Sequence, residues 1–166
     1  EVGVQSYKIG SGEVNNLLLL GKVLRTGKPI IISSGMSSFK ELDQTVTFLK
    51  SKNAMFSILQ CTTAYLTKPE EYGLNIINEL KNRYDVPIGF SDHSAKIATG
   101  IAAVSLGAEI LEFHVTFNRS LFGPDAKASL TIEETKQLVE AVNDIYIAHN
   151  NPIDKNSSDN FKELKS

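Results

Sequence analysis

Apolar residues along this chain fall into short runs that alternate with stretches of helical periodicity. Tyr7-Lys8-Ile9 begins the series and leads into a leucine-rich helix expected from about Val14 to Arg25. Gly27-Lys28-Pro29 ends that helix, because proline lacks an amide donor and its ring clashes with a preceding helical turn. Ile30-Ile31-Ile32 then reads as a buried strand, since consecutive β-branched residues suit a sheet covered on both faces. Ser38 followed by Glu41 has the spacing of a capping box, opening a helix to about Lys50. A third strand is expected from Met55 to Leu59, then a long loop from Cys61 to about Gly73 and a helix from Leu74 to Arg83. Val86 to Phe90 is the fourth strand. The alanine-rich helix after it, about Ala95 to Leu106, carries Gly100, Ala102 and Ala103, which suit close backbone packing. Ala108 to Phe113 is the fifth strand, and Thr131 with Glu134 opens a last helix reaching about Ala148.

Strand and helix in strict alternation imply parallel strands joined by right-handed crossovers. The repeat matches one βα unit of roughly 25–30 residues. Two architectures fit: an open, doubly wound sheet and a barrel. Five units are fewer than a closed (β/α)8 barrel needs, at about 250 residues. The 166 residues, 42 % hydrophobic and 22 % charged, are ordinary for one soluble globular domain. A net charge of -2 without a basic patch argues against nucleic acid as a partner. Cys61 is the single cysteine, so no intramolecular disulfide forms; it lies at a strand end with no separate signal that makes it a nucleophile, so a buried, unreactive thiol is expected. No apolar run is long enough for a bilayer and no secretory signal opens the chain, so no membrane association is expected and cytoplasm is the expected location. From Asn150 to Ser166 the sequence turns polar and reads as a linker.

Parallel α/β sheets bind ligands beyond the C-terminal ends of their strands. The strand ends here carry Lys8, Ser11 and Glu13, then Ser33, Ser34 and Gly35, then Cys61, Thr62, Thr63 and Tyr65. Ser91, Asp92 and His93 follow the fourth strand, and Glu112, His114 and later Asp125 the fifth. Lysine with several hydroxyls suits a phosphorylated anion, although a single serine after a strand is more often a turn former or cap. His93 and His114 end consecutive strands, which lie about 4.8 Å apart, so their imidazoles are placed to share one divalent ion. Period-two alternation puts Ser91 with His93 on one face, and Glu112 on the side of His114, as a possible supporting carboxylate. His149 closes the last helix and reads as a surface residue, and Gly10-Ser11-Gly12 lacks the third glycine of a dinucleotide-binding turn.

The strings Lys8-Ile9-Gly10-Ser11-Gly12-Glu13, Ser33-Ser34-Gly35-Met36, Cys61-Thr62-Thr63-Ala64-Tyr65, Ser91-Asp92-His93 and Gly123 to Leu130 resemble, in order and spacing, the sialic acid synthase family. That family includes the N-acetylneuraminate, legionaminate and pseudaminate synthases and related spore-coat polysaccharide enzymes. The resemblance implies a partial (β/α)8 TIM barrel of about five βα units, strands four to eight. It assigns residues 1–149 to the barrel and 150–166 to a linker toward an absent antifreeze-like domain, which in the family caps the partner's site in a homodimer. By the same resemblance, Lys8, Ser11, Ser33 and Ser91 bind phosphoenolpyruvate, with Thr63 standing where an asparagine is common. His93 and His114 hold a divalent metal, Mn2+ or Mg2+. Glu13, Tyr65 and Asp125 meet an open-chain amino sugar, with Glu13 as the proton-handling catalytic group. Leu66 replaces a usual proline and Ala126 a frequent histidine, which leaves the sugar preference open.

The implied reaction is condensation of phosphoenolpyruvate with an N-acetylated amino-sugar aldehyde and water, giving a nonulosonic acid and phosphate. The segment alone is expected to be inactive, because a partial barrel leaves open sheet edges. Two other functions remain open at this point: a sugar- or phosphate-binding barrel without turnover, and a different metal-dependent, aldolase-type barrel.

Overall fold

A computed structural model describes residues 3–155. The tail expected as a linker therefore lies mostly outside the described residues. In chain order the elements are β1 (Tyr7–Ile9), α1 (Leu17–Leu24), β2 (Ile30–Ser33), α2 (Phe39–Ser51), β3 (Phe56–Cys61), α3 (Asn75–Arg83), β4 (Ile88–Asp92), α4 (Ile97–Ser105), β5 (Ile110–Thr116), β6 (Ser129–Thr131) and α5 (Ile132–Asn150).

Among the described residues six strands form where five are expected from the pattern. The extra one, β6, has a single apolar residue, Leu130, between two polar ones, and it abuts the α5 cap without a break. It pairs parallel to β5 with His114 opposite Ser129. No α-helix joins these two strands; a loop with a short 3-10 turn at Ala126–Ala128 does. The first helix also begins later than its apolar pattern predicts. Ser11–Glu13 form a 3-10 turn, and the Asn16 side chain caps α1 by accepting from the Leu19 amide. Both capping boxes form, Ser38 with Glu41 and Thr131 with Glu134.

All neighbouring strands run parallel, in the sequential order β1-β2-β3-β4-β5-β6. A doubly wound sheet reverses its strand order at a switch point, so this order excludes that alternative. The sheet also curls. In a flat sheet, β1 and β5 would stand about 19 Å apart with side chains pointing the same way. Instead Lys8 of β1 reaches Glu112 of β5, with Nζ–Oε distances of 2.6 and 2.7 Å. The interior face is therefore concave, as in part of a barrel wall.

Alternation divides the strands into two faces. Ile9, Ile30, Ile32, Phe56, Ile58, Ile88 and Phe90 join one core cluster with Leu20, Val23, Leu42, Val46, Leu49, Ile77, Leu80 and Ala103 of the helices. Each large aliphatic side chain buried there contributes about 1.5–3 kcal/mol. The opposite face carries Lys8, Ser33, Cys61, Ser91 and His93 into the concavity. Helices α4 and α5 come close at Gly100, where a Cβ would stand 2.9 Å from Leu138 Cδ1.

Candidate functional site

At the C-terminal rim of the sheet, the end of β4 and the middle of β5 supply the densest chemistry. Ser91 lies opposite Glu112 in the strand register. Its hydroxyl donates to Glu112 Oε1 at 2.9 Å, and Lys8 Nζ donates to both oxygens of the same carboxylate. One carboxylate thus ties together strands β1, β4 and β5. Lys8 and Glu112 remain 32 % and 41 % exposed, so this ion pair is open to a ligand.

The two histidines converge. Their ring centroids are 5.2 Å apart with a 45° tilt. His93 is buried, and its Nδ1 lies 3.1 Å from the Thr62 carbonyl, leaving Nε2 free. Carbonyl support on one ring nitrogen is the usual way to orient the other toward a metal. With metal–nitrogen bonds of about 2.1 Å, two imidazoles on one ion have centroids roughly 4.6–5.3 Å apart for angles of about 90–110° between them. The pair fits a shared divalent ion. Among the described residues no group of three or more His, Cys, Asp or Glu is placed to hold a metal ion, so the two imidazoles alone are an incomplete ligand set.

Tyr65 roofs the pair. Its ring centroid lies 4.3 Å from that of His93 and 5.6 Å from that of His114, edge-on to the latter. Burial, together with the negative groups Cys61, Asp125 and Glu112, pushes the Tyr65 phenol above its ordinary value, so it is a hydrogen-bond donor at neutral pH. The loop bearing Tyr65 is fixed to β4, with the Thr67 amide donating to the His93 carbonyl. Asp125 approaches from the β5–β6 loop, its Oδ2 3.8 Å from His114 Nδ1.

A second group gathers around Gly35. A Cβ there would lie 2.5 Å from Thr63 Oγ1, 2.8 Å from Ser11 Oγ and 3.0 Å from the Cys61 carbonyl. Glycine is required because three strand ends close on this point. Cys61 is buried as expected, and its Sγ bridges the two groups, 3.8 Å from Ser11 Oγ and 4.0 Å from His93 Nδ1. Burial alone would raise the thiol and lower the imidazole. Their contact outweighs it, with Ser11 and Ser91 also favouring the thiolate and Thr62 and Asp92 the imidazolium, so Cys61 moves down and His93 up. Asp92 faces the helices, where burial raises it even though the Ser94 amide and hydroxyl donate to it; that turn sets the backbone after His93.

Two residues expected in the site stand apart from these contacts. Glu13 is exposed and its Oε2 accepts from Asn16 Nδ2 at 2.7 Å. Ser33 is buried at the end of β2, beside Leu59 of β3. Arg119 carries no sign of its role in the sequence pattern. It donates to the carbonyls of Ser129 and Ala95 and to Glu134, clamping the β5–β6 loop to the turn after His93. Glu112 proves more central than a supporting carboxylate beside His114. Its signal in the sequence is a carboxylate set among Ile110, Leu111 and Phe113.

The sequence profile of the NeuB family matches residues 1–154. Human N-acetylneuraminate-9-phosphate synthase is 42 % identical over 143 residues, covering 86 % of this chain and 40 % of the human protein. The N,N'-diacetyllegionaminic acid synthase of Campylobacter jejuni is 35 % identical over 167 residues, covering 99 % of this chain and 50 % of its own. A crystal structure of N-acetylneuraminic acid (sialic acid) synthetase from Leptospira borgpetersenii, in complex with citrate, superposes with a TM-score of 0.89 at 32 % identity, over 98 % of this chain and 57 % of that one. This chain therefore spans about half the length of these relatives, from 40 % to 57 %. By sequence profile and by fold, the chain belongs to the NeuB family.

Proposed function

We propose that this chain is part of a synthase that condenses phosphoenolpyruvate with an N-acetylated amino-sugar aldehyde. The observation that carries the reading is the meeting of an open lysine–serine–carboxylate group and a converging imidazole pair on one concave rim. Relatives named as N-acetylneuraminate-9-phosphate and diacetyllegionaminic acid synthases support it.

In this reading Lys8, Ser11, Ser33, Thr63 and Ser91 hold the anionic substrate. Carbon 3 of phosphoenolpyruvate forms a bond to the aldehyde carbon, water adds at carbon 2, and phosphate leaves with its C–O bond pair. His93 and His114 would hold Mn2+ or Mg2+, which supplies Lewis acidity toward a carbonyl oxygen. Tyr65 closes the rim over the imidazoles and donates from its phenol, while Asp125 orients sugar hydroxyls. Glu13, beside the sugar, is the proton-handling group, which requires its carboxylate to leave Asn16 on substrate binding. Residues 1–149 form part of a TIM-barrel domain and 150–166 lead to a further domain of a cytoplasmic homodimer. Among the described residues, no helix is long and apolar enough to cross a membrane.

The test is phosphate release by the full-length protein with Mn2+, phosphoenolpyruvate and a panel of N-acetylmannosamine and diacetylated 6-deoxy sugars. Release that requires both substrates is expected with at least one sugar. Phosphoenolpyruvate binding without turnover on any sugar would favour the non-catalytic reading, and turnover with pyruvate the aldolase reading.

A further inference from the structure

The Lys8–Glu112–Ser91 group is unusual for a site meant to attract an anion, because its cation is already neutralised. Glu112 takes both oxygens to Lys8 Nζ and one of them also to Ser91 Oγ. These are the two donors, on β1 and β4, that the functional reading gives to the phosphorylated substrate. A purely structural ion pair is an incomplete account of the arrangement. Both partners are about one-third exposed or more, and pairs of that kind contribute little to stability. The pair also faces the concavity, and Glu112 stands two positions before His114 on the same strand.

We propose that Glu112 is a stand-in anion: it occupies Lys8 and Ser91 between turnovers and yields them to the phosphorylated substrate. The inference rests on the assignment of Lys8 and Ser91 as phosphoenolpyruvate contacts. An arriving anion meets a carboxylate that already holds its donors, so it binds only by displacing or sharing them. Glu112 thereby weakens anion affinity, and it re-engages Lys8 and Ser91 as phosphate departs. Modest affinity for an anionic ground state and its anionic product favours turnover over tight binding. Glu112 is thus a positioning residue, acting through Lys8 and Ser91, with no bond made or broken at its own oxygens.

Replacement by glutamine keeps the shape and an acceptor for Ser91 but removes the charge. Two unit charges about 6 Å apart at an effective dielectric near 20 interact by about 2.8 kcal/mol, which alters affinity by roughly a hundredfold. With part of that lost to poorer positioning of Lys8, a gain of about tenfold or more remains.

The experiment measures phosphoenolpyruvate binding by calorimetry, without metal, to the full-length wild type, Glu112→Gln and Lys8→Met. Glu112→Gln is expected to bind at least about tenfold more tightly, with both KM for phosphoenolpyruvate and kcat lowered in turnover assays. Unchanged or weaker binding by Glu112→Gln, while Lys8→Met loses binding, overturns this inference alone. Wild type that does not bind, or Lys8→Met that binds as wild type does, overturns the underlying assignment as well. Crystal structures of the wild type with and without phosphoenolpyruvate give a reading independent of variant folding. Lys8 Nζ and Ser91 Oγ are expected to pass from Glu112 to substrate oxygens. Retention of both Glu112 contacts with phosphoenolpyruvate bound overturns the inference.

Discussion

Replacing Arg119 by alanine removes one guanidinium that serves three acceptors, in the turn after His93, at the start of β6 and in the first turn of α5. Its Nε donates to the Ser129 carbonyl at 3.0 Å, and its Nη2 to the Ala95 carbonyl at 3.1 Å and to Glu134 Oε2. Hydrogen bonds from a charged donor contribute about 1.5–3 kcal/mol each. The Arg119 side chain is 37 % exposed, so water replaces part of what is lost, and the contact to Glu134 is discounted most. A net cost of about 2–3 kcal/mol follows, which for a domain of this size lowers Tm by roughly 5–10 °C. Arg119→Lys is expected to recover less than half, because an ammonium on a flexible stem does not match the planar fork that reaches both carbonyls. Differential scanning calorimetry of the full-length protein checks both variants. A Tm for Arg119→Ala within about 1 °C of wild type would show that the clamp carries no energy and would refute this reasoning.

Other consequences concern the sheet, an outer ion pair and the imidazoles. At Gly89 a Cβ would stand 2.4 Å from Leu59 Cδ2 and 2.5 Å from the Ile110 carbonyl, so Gly89→Ala is expected to cost about 2–3 kcal/mol in urea unfolding; an unchanged midpoint would contradict the close approach. The Arg83 guanidinium and the Tyr84 hydroxyl hold Asp43 down to about 2, below its unfolded value of about 3.9. Its contribution is therefore present above about pH 4 and is lost as pH falls toward 2. The stability difference between wild type and Asp43→Asn, followed by acid-dependent unfolding, should shrink over that window. Loss of either imidazole, in His93→Ala or His114→Ala, is expected to weaken Mn2+ binding by at least about a hundredfold in titrations read by electron spin resonance.

The local grammar of this chain is legible without coordinates. Ser38 with Glu41 and Thr131 with Glu134 announce helix starts, and the strand ends can be placed because the apolar runs are short and separated by turn residues. The order of Ser91 and His93 on one strand and Glu112 and His114 on the next follows from period-two alternation, so nearness of the two imidazoles is foreseeable. What escapes is long-range. Lys8 and Glu112 are separated by 104 residues, and only the curl of the sheet brings them together. Strand β6 is hidden because three residues with one apolar side chain carry no periodicity, and backbone pairing with β5 defines it. Arg119 reads as an ordinary loop cation until the carbonyls of Ala95 and Ser129 are seen on either side of it. The resting partner of Glu13, Asn16, belongs to a cap that hides behind the leucine pattern of α1.

Anomalous diffraction at the manganese edge, from crystals of the full-length protein grown with Mn2+, tests the imidazole arrangement most directly. A single strong peak about 2.1–2.3 Å from one ring nitrogen each of His93 and His114, beneath Tyr65, is the predicted result. A manganese peak elsewhere, with the two rings turned apart, would contradict it.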